Sequence, residues 1–279
     1  MSTEFASKSH APTEMSLPVI TLIIPTHLRK VLLRRAIESI NAQAHREKIE
    51  LIVVSDVQDS ETDKVCSDLL SGQDIYIRRN GIAGPAASRN LALKLASGQF
   101  VMFLDDDDAW HVGFLEALFN KMPSIQNSLC YFNCTVIKES RPITGPVKLN
   151  AVDLDLSQTL NNNIYIKNQV HMSCFLFSRH LLAGLEFDTT MRGYEDWDFT
   201  LAVLKRQWAL HLPLSCSFVH EVDDATTDRR GSSPGANDSN AILDYLYVYR
   251  RHASPSVEIQ MKRKLLLDSV GLNIQLELL

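Results

Sequence analysis

Four consecutive carboxylates, Asp105-Asp106-Asp107-Asp108, stand directly behind the apolar run Phe100-Val101-Met102-Phe103-Leu104. Crowded like charges repel one another unless a cation or strong hydrogen-bond donors offset them. Carboxylate oxygens suit a hard ion such as Mg²⁺ or Mn²⁺ better than zinc. The apolar run reads as a short buried strand after the turn signal Ser97-Gly98, and ligands bind at the open end of a parallel α/β sheet. The quartet is therefore a metal-site candidate, with a solvated acidic loop as the plain alternative. An EF-hand is excluded: counting from Asp105 puts Trp110 at the sixth position, where that loop needs glycine. A second feature, Gly193-Tyr194-Glu195-Asp196-Trp197-Asp198, opens a helix. Acids there suit the positive end of the helix dipole, which is a sufficient structural reason for them and also keeps a carboxylate ionised for use as a base. The third is His220, at the end of an extended apolar run, where a lone histidine is more often structural or exposed than a ligand.

The elements that must position these residues alternate in the first half. Residues 19–24 read as a strand ended by Pro25, and 29–44 as a helix with Leu32, Leu33, Ala36, Ile37 and Ile40 inward. A strand at 51–54, a helix at 59–70 with Ser60 as cap, a short strand at 75–77 and a helix at 85–96 begun by Pro85 lead to the strand before Asp105. This βαβαβαβ order predicts an α/β fold, with a mostly parallel central sheet flanked by helices. No Gly-x-Gly-x-x-Gly follows the first strand, so the dinucleotide fingerprint is absent. Later, 129–138 and 173–177 read as strands, a short helix starts at Arg179, 139–163 is loop-rich, 196–206 is helical and 210–219 extended. Helices at 241–249 and 257–279 form a C-terminal extension.

The 279 residues can bury a large core, and 45% apolar with 22% charged residues is an ordinary globular balance. With 28 basic against 33 acidic residues, the net charge of −5 gives no support to nucleic-acid binding. No apolar stretch approaches the roughly 18 residues that span a bilayer. The five cysteines, 66, 130, 134, 174 and 216, show no zinc spacing and read as buried thiols, which predicts a cytoplasmic protein without structural disulfides.

In their order along the chain the motifs resemble glycosyltransferase family 2, whose catalytic domain has the GT-A (Rossmann-like) fold. The pieces are Ile24-Pro25-Thr26-His27-Leu28-Arg29, Val53-Val54-Ser55-Asp56, Asn80-Gly81 through Gly84-Pro85-Ala86-Ala87-Ser88-Arg89-Asn90, Phe103-Leu104-Asp105-Asp106-Asp107-Asp108-Ala109-Trp110, Glu195-Asp196-Trp197-Asp198 and Val219-His220-Glu221. The resemblance implies sugar transfer from a nucleoside-diphosphate donor, a UDP-sugar first among them, to an acceptor hydroxyl with inversion. A divalent cation, Mn²⁺ or Mg²⁺, is the implied cofactor. It places Pro25, Thr26, Arg29, Asp56, Arg89, Asp105 and Asp106 at the nucleotide and assigns Asp107, Asp105 and His220 to the metal. It gives the base to Asp196, with Glu195 the competing carboxylate. The acceptor is a saccharide, lipid-linked or small molecule; a homodimer and peripheral membrane association are compatible with it.

The chain departs from many relatives in having Ser55-Asp56-Val57-Gln58 after the second strand and Phe218-Val219 before the late histidine. Residues 1–16 read as a flexible tail, 17–225 as the catalytic domain, and 226–279 as a mobile loop and helical extension packed on it. The polar stretch 221–240 is a candidate lid, with Arg229 and Arg230 to reach a diphosphate. Trp110 and Trp197 serve either as sugar platforms or as core. Lys262-Arg263-Lys264 before Leu265-Leu266-Leu267 suits either an anionic membrane or a packed helix. An inactive nucleotide-sugar-binding module, or a nucleotidyltransferase, is the alternative activity.

Overall fold

Uninterrupted apolar runs give the first half its buried strands, since only a strand covered on both faces tolerates apolar residues at every position. The computed structural model of the chain describes residues 18–125, 127–142, 144–222 and 239–279. Strand β1 (Ile20–Thr26) leads to helix α1 (Lys30–Asn41), β2 (Ile49–Ser55), α2 (Ser60–Leu69), β3 (Ile75–Arg78), α3 (Pro85–Leu95) and β4 (Phe100–Phe103). These four strands lie parallel in the order β3-β2-β1-β4, with β1, β2 and β4 buried throughout. Pro25 does not end β1; it pairs with Val54 inside the ladder. Asp59, rather than Ser60, caps α2, accepting the backbone N–H groups of Glu61 and Thr62.

The second half is mixed. It comprises β5 (Ala109–Trp110), α4 (Phe114–Ile125), β6 (Cys130–Ser140), β7 (Val147–Leu154), β8 (Phe175–Ser178), α5 (Glu195–Leu204), β9 (Leu210–Val222), α6 (Ser239–Arg251) and α7 (Val257–Ser269). The sheet continues β4-β8-β6-β9-β5, with β7 on β6; β6 and β9 are parallel and the other pairs here antiparallel. The loop-rich reading of 139–163 misses β7, which is largely exposed on both faces, so its residues carry no period-2 burial signal. The helix expected at Arg179 is a single 3₁₀ turn. The second C-terminal helix stops at Ser269 rather than running on. The lid reading, with Arg229 and Arg230, and the tail reading lie outside the described residues.

Trp110 and Trp197 are core residues and not sugar platforms; both are fully buried, and the Trp197 indole N–H donates to Ile164 O at 2.7 Å. All five cysteines are free and buried. Arg263 is also fully buried, spending its guanidinium on the carbonyls of Tyr165, His252 and Leu279, so the basic run belongs to a packed helix. Gly98 permits the closest backbone approach in the first half: a Cβ there would lie 2.5 Å from Thr21 N. Among the described residues no helix is long and apolar enough to cross a membrane.

Candidate functional site

Parallel strands deliver their C-terminal ends to one edge, and the site is assembled there. Thr26, the last residue of β1, is buried and donates its hydroxyl to Asp106 Oδ2 at 2.8 Å, an oxygen that also takes the His27 backbone N–H at 3.3 Å. Leu28 adopts a left-handed backbone (φ 55°) at the turn into α1. Just beyond it, Arg29 Nη1 reaches Asp106 Oδ1 at 3.1 Å and Asp107 Oδ2 at 3.2 Å. Asp56, at the end of β2, is buried; it accepts the Gly84 N–H at 2.7 Å and pairs with His27 Nδ1. Arg79 stands 3.8 Å from the same carboxylate and braces the loop before α3 through the carbonyls of Ile82 and Gly84.

The four aspartates are sorted by this frame. Asp108 folds inward, where its Oδ1 accepts the His220 backbone N–H at 2.9 Å; burial and its acidic neighbours raise its pKa well above the carboxylate range. Asp107 shares one oxygen between Arg29 and Arg141 (3.1 Å), while its carbonyl accepts from Arg35. Burial and Asp106 together still push Asp107 up to about 6. Arg35 and Arg141 also grip Glu139, which is 2% exposed; burial alone would raise its pKa, but these two hydrogen-bonded cations bring the net shift downward. Arginine donors therefore supply much of the offset that the acidic quartet demands.

Tyr194 takes a left-handed backbone (φ 61°) immediately before α5, an uncommon conformation for a bulky residue. The turn sets Glu195 and Asp196 in different surroundings. Glu195 is buried and salt-bridged to Arg89 Nη1 at 2.8 Å, and Arg89 Nη2 bonds Asp105 Oδ1 at 2.7 Å. Arg89 itself is buried on α3; the charges of Asp105 and Glu195 outweigh the penalty of burial and hold its pKa above the ordinary arginine value. Asp196 is partly exposed, with Oδ1 on the Trp197 N–H at 2.8 Å and Oδ2 on Asn168 Nδ2 at 3.1 Å. Burial and Glu195 push it up to about 7, the range in which a general base is most effective.

His220 sits one layer deeper, with Nε2 at 4.0 Å from Glu139 Oε2 and Nδ1 buried without a hydrogen-bond partner. Burial and the Arg35 charge push it down to about 4, so its imidazole is neutral at pH 7. Among the described residues no three His, Cys, Asp or Glu side chains gather to hold a metal. A hard divalent cation bound through one or two carboxylates, with phosphate oxygens and water completing its shell, needs no such trio. The Asp105/Asp107 turn fits that mode.

The structure thus brings Thr26, Arg29, Asp106 and Asp107 together, joins Arg89, Asp105 and Glu195, and sets Asp196 beside them, with Pro25 in β1 and Asp56 beside His27 at the end of β2. Sequence reading missed His27, Arg35, Glu139, Arg141 and Asn168. Arg35 carried no local signal, since it lies off the buried face formed by Leu32, Leu33, Ala36, Ile37 and Ile40.

Residues 21–183 match the model described as Glycosyl transferase family 2. The chain is 36% identical over 126 residues to the GalNAc(5)-diNAcBac-PP-undecaprenol beta-1,3-glucosyltransferase of Campylobacter jejuni, a match covering 44% of this chain and 40% of that one. The matched part thus spans less than half of that relative's length. Among solved structures, S. aureus TarS 1–349 in complex with UDP-GlcNAc superposes with a TM-score of 0.61 at 16% identity, covering 89% of this chain and 71% of that chain. The Pyrobaculum calidifontis mannosyltransferase PcManGT, in complex with GDP-Man and Mn²⁺, gives 0.53 at 19% identity, covering 90% and 66%. At these identities the likeness is one of fold, the GT-A fold.

Proposed function

Because the chain belongs to glycosyl transferase family 2, we propose that it moves a sugar from a UDP-sugar to a hydroxyl of a lipid-linked saccharide, with inversion and with Asp196 as the base. The observation that carries this reading is the Arg89 bridge. By bonding Asp105 and Glu195 at once, Arg89 ties the acidic turn after β4 to the N-terminus of α5.

Each residue then has a task. Asp56, with Pro25 and Thr26, borders the nucleobase, where a carboxylate accepts the imide N–H of uracil; His27 must yield or share that oxygen when the base arrives. Arg29 stands at the edge of the acidic turn, where a diphosphate brings negative charge, and Asp106 anchors the turn to β1. Asp107, with Asp105, would hold a divalent cation, whose chemistry when bound is Lewis-acid neutralisation of the departing diphosphate; His220, one layer deeper beside Glu139, is not placed to join them.

Of the two candidate bases on α5, Glu195 is committed to Arg89, which leaves Asp196 to receive the acceptor proton. Asn168 orients the Asp196 carboxylate, and the elevated pKa makes it a stronger base than an ordinary aspartate. A base of this kind contributes about 10²–10⁴-fold in rate. UDP and the undecaprenol-linked acceptor are brought in from the names of TarS and the Campylobacter relative. A membrane-borne acceptor also suits peripheral association with the membrane.

The test is a transfer assay with a panel of UDP-sugars, Mn²⁺ and an undecaprenyl-diphosphate-linked saccharide, with the product anomer read by NMR. Asp196→Asn is expected to bind donor normally while losing both transfer and donor hydrolysis. Unchanged turnover in that variant, or a product of retained configuration, would overturn the reading.

A further inference from the structure

The acidic motif at α5 contains a third carboxylate that the proposed chemistry does not use. Asp198 points away from the site and is 1% exposed. It is nevertheless doubly bound: His252 Nε2 lies 2.8 Å and Arg251 Nε 2.9 Å from its Oδ1. Both partners come from the end of α6, more than fifty residues later in the chain. A buried carboxylate left without such donors would be costly, so this contact is a strong tie between α5 and the C-terminal helices.

The same helix also grips the turn ahead of α5. The Asp244 carboxylate lies against that turn, its Oδ2 at 3.7 Å from where a Gly193 Cβ would stand. Tyr245 meets Tyr194 edge-on at 4.8 Å between centroids and Trp197 at 5.1 Å, while Tyr249 closes on Trp197 at 6.1 Å. Arg251 continues the tie to Asp188, which also accepts the Tyr247 hydroxyl at 2.8 Å. α7 backs the assembly: Arg263 lies 4.1 Å from the Tyr249 ring centroid and donates to His252 O at 2.8 Å.

We propose that α6 is a positioning element for the catalytic turn, in which Asp244 fixes residues 192–193 and His252, through Asp198, fixes the first turn of α5, so that Glu195 and Asp196 keep their separate roles. The inference rests on the reading of Asp196 as base. The left-handed Tyr194 explains why such a device is needed. A bulky residue in that conformation is strained and persists only where its surroundings over-determine it, and α6 supplies contacts on both sides of it. His252 and Asp244 touch no reacting atom and are positioning residues.

Two variants, His252→Leu and Asp244→Ala, are compared with the conservative His252→Gln, whose amide N–H still reaches Asp198. Amide hydrogen exchange on the ligand-free protein is expected to quicken at least tenfold across residues 192–199 in the first two, with no change across β1 and β2. In the transfer assay kcat is expected to fall at least tenfold while the affinity for UDP, measured by titration calorimetry, stays within twofold. His252→Gln should restore both kcat and protection. Exchange unchanged at 192–199, or kcat unchanged despite faster exchange, overturns the proposal. A parallel loss of UDP affinity also overturns it, since the role would then be general stability. Absence of transfer by the wild-type protein on every donor would instead remove the premise, and the exchange data would still decide whether α6 holds the turn.

Discussion

At the level of single side chains, the site works by giving identical groups different surroundings. Asp196 and Glu195 are adjacent in sequence, yet Glu195 is tied to a guanidinium while Asp196, the proposed base, has its pKa pushed up to about 7. A base must be ionised to act, so kcat/KM is expected to rise with pH through a midpoint of about 7 and to level above it. A pH–rate profile checks this, and a profile flat from pH 5 to 9 would rule Asp196 out. The convergent residues Thr26, Arg29, Arg89, Asp105, Asp107 and Asp196 were legible in the sequence because each sits at an element junction within a short motif. Arg35, Glu139 and Arg141 were not. Arg35 and Glu139 are 104 positions apart and meet only because β6 runs beside β9 up to the acidic turn. No local pattern records such a meeting.

Among the elements, the parallel half was readable because burial on both faces leaves continuous apolar runs. The second half was less so: β7 is held by its pairing to β6 rather than by any buried face, and pairing leaves no trace in residue type. The parallel half also depends on one point of close approach. Adding a methyl group at Gly98 would bring it to 2.5 Å from Thr21 N and 2.8 Å from Ile20 C, both backbone atoms that cannot step aside. Gly98→Ala is therefore expected to destabilise the protein by about 1–3 kcal/mol, read from urea denaturation. Wild-type stability would mean that β1 and the 97–98 turn can separate freely.

For the molecule as a whole, the cost of the site appears in the balance between folding and pH. The Asp107 pKa is raised by burial from the ordinary carboxylate value of 3.8 to about 6, so between those values the folded state holds a proton that the unfolded chain has released. That contribution to stability is present at low pH and is lost as pH rises toward 6. His220, pushed down to about 4, runs in the opposite direction. A comparison of Asp107→Asn with the wild type cancels the histidine. The variant's gain in stability, in protein free of metal and nucleotide, is expected to grow from pH 4 to 6 and stay constant above. A gain independent of pH would mean that Asp107 is not strained by ionisation. The sheet adds a different consequence. Its two halves meet where β4 runs beside β8, a seam of only two residue pairs, Phe100 with Ser178 and Val101 with Phe177. So short a stretch of shared ladder puts little register constraint on how the halves join, and a chimaera of two family members exchanged along it is expected to keep both sheets paired.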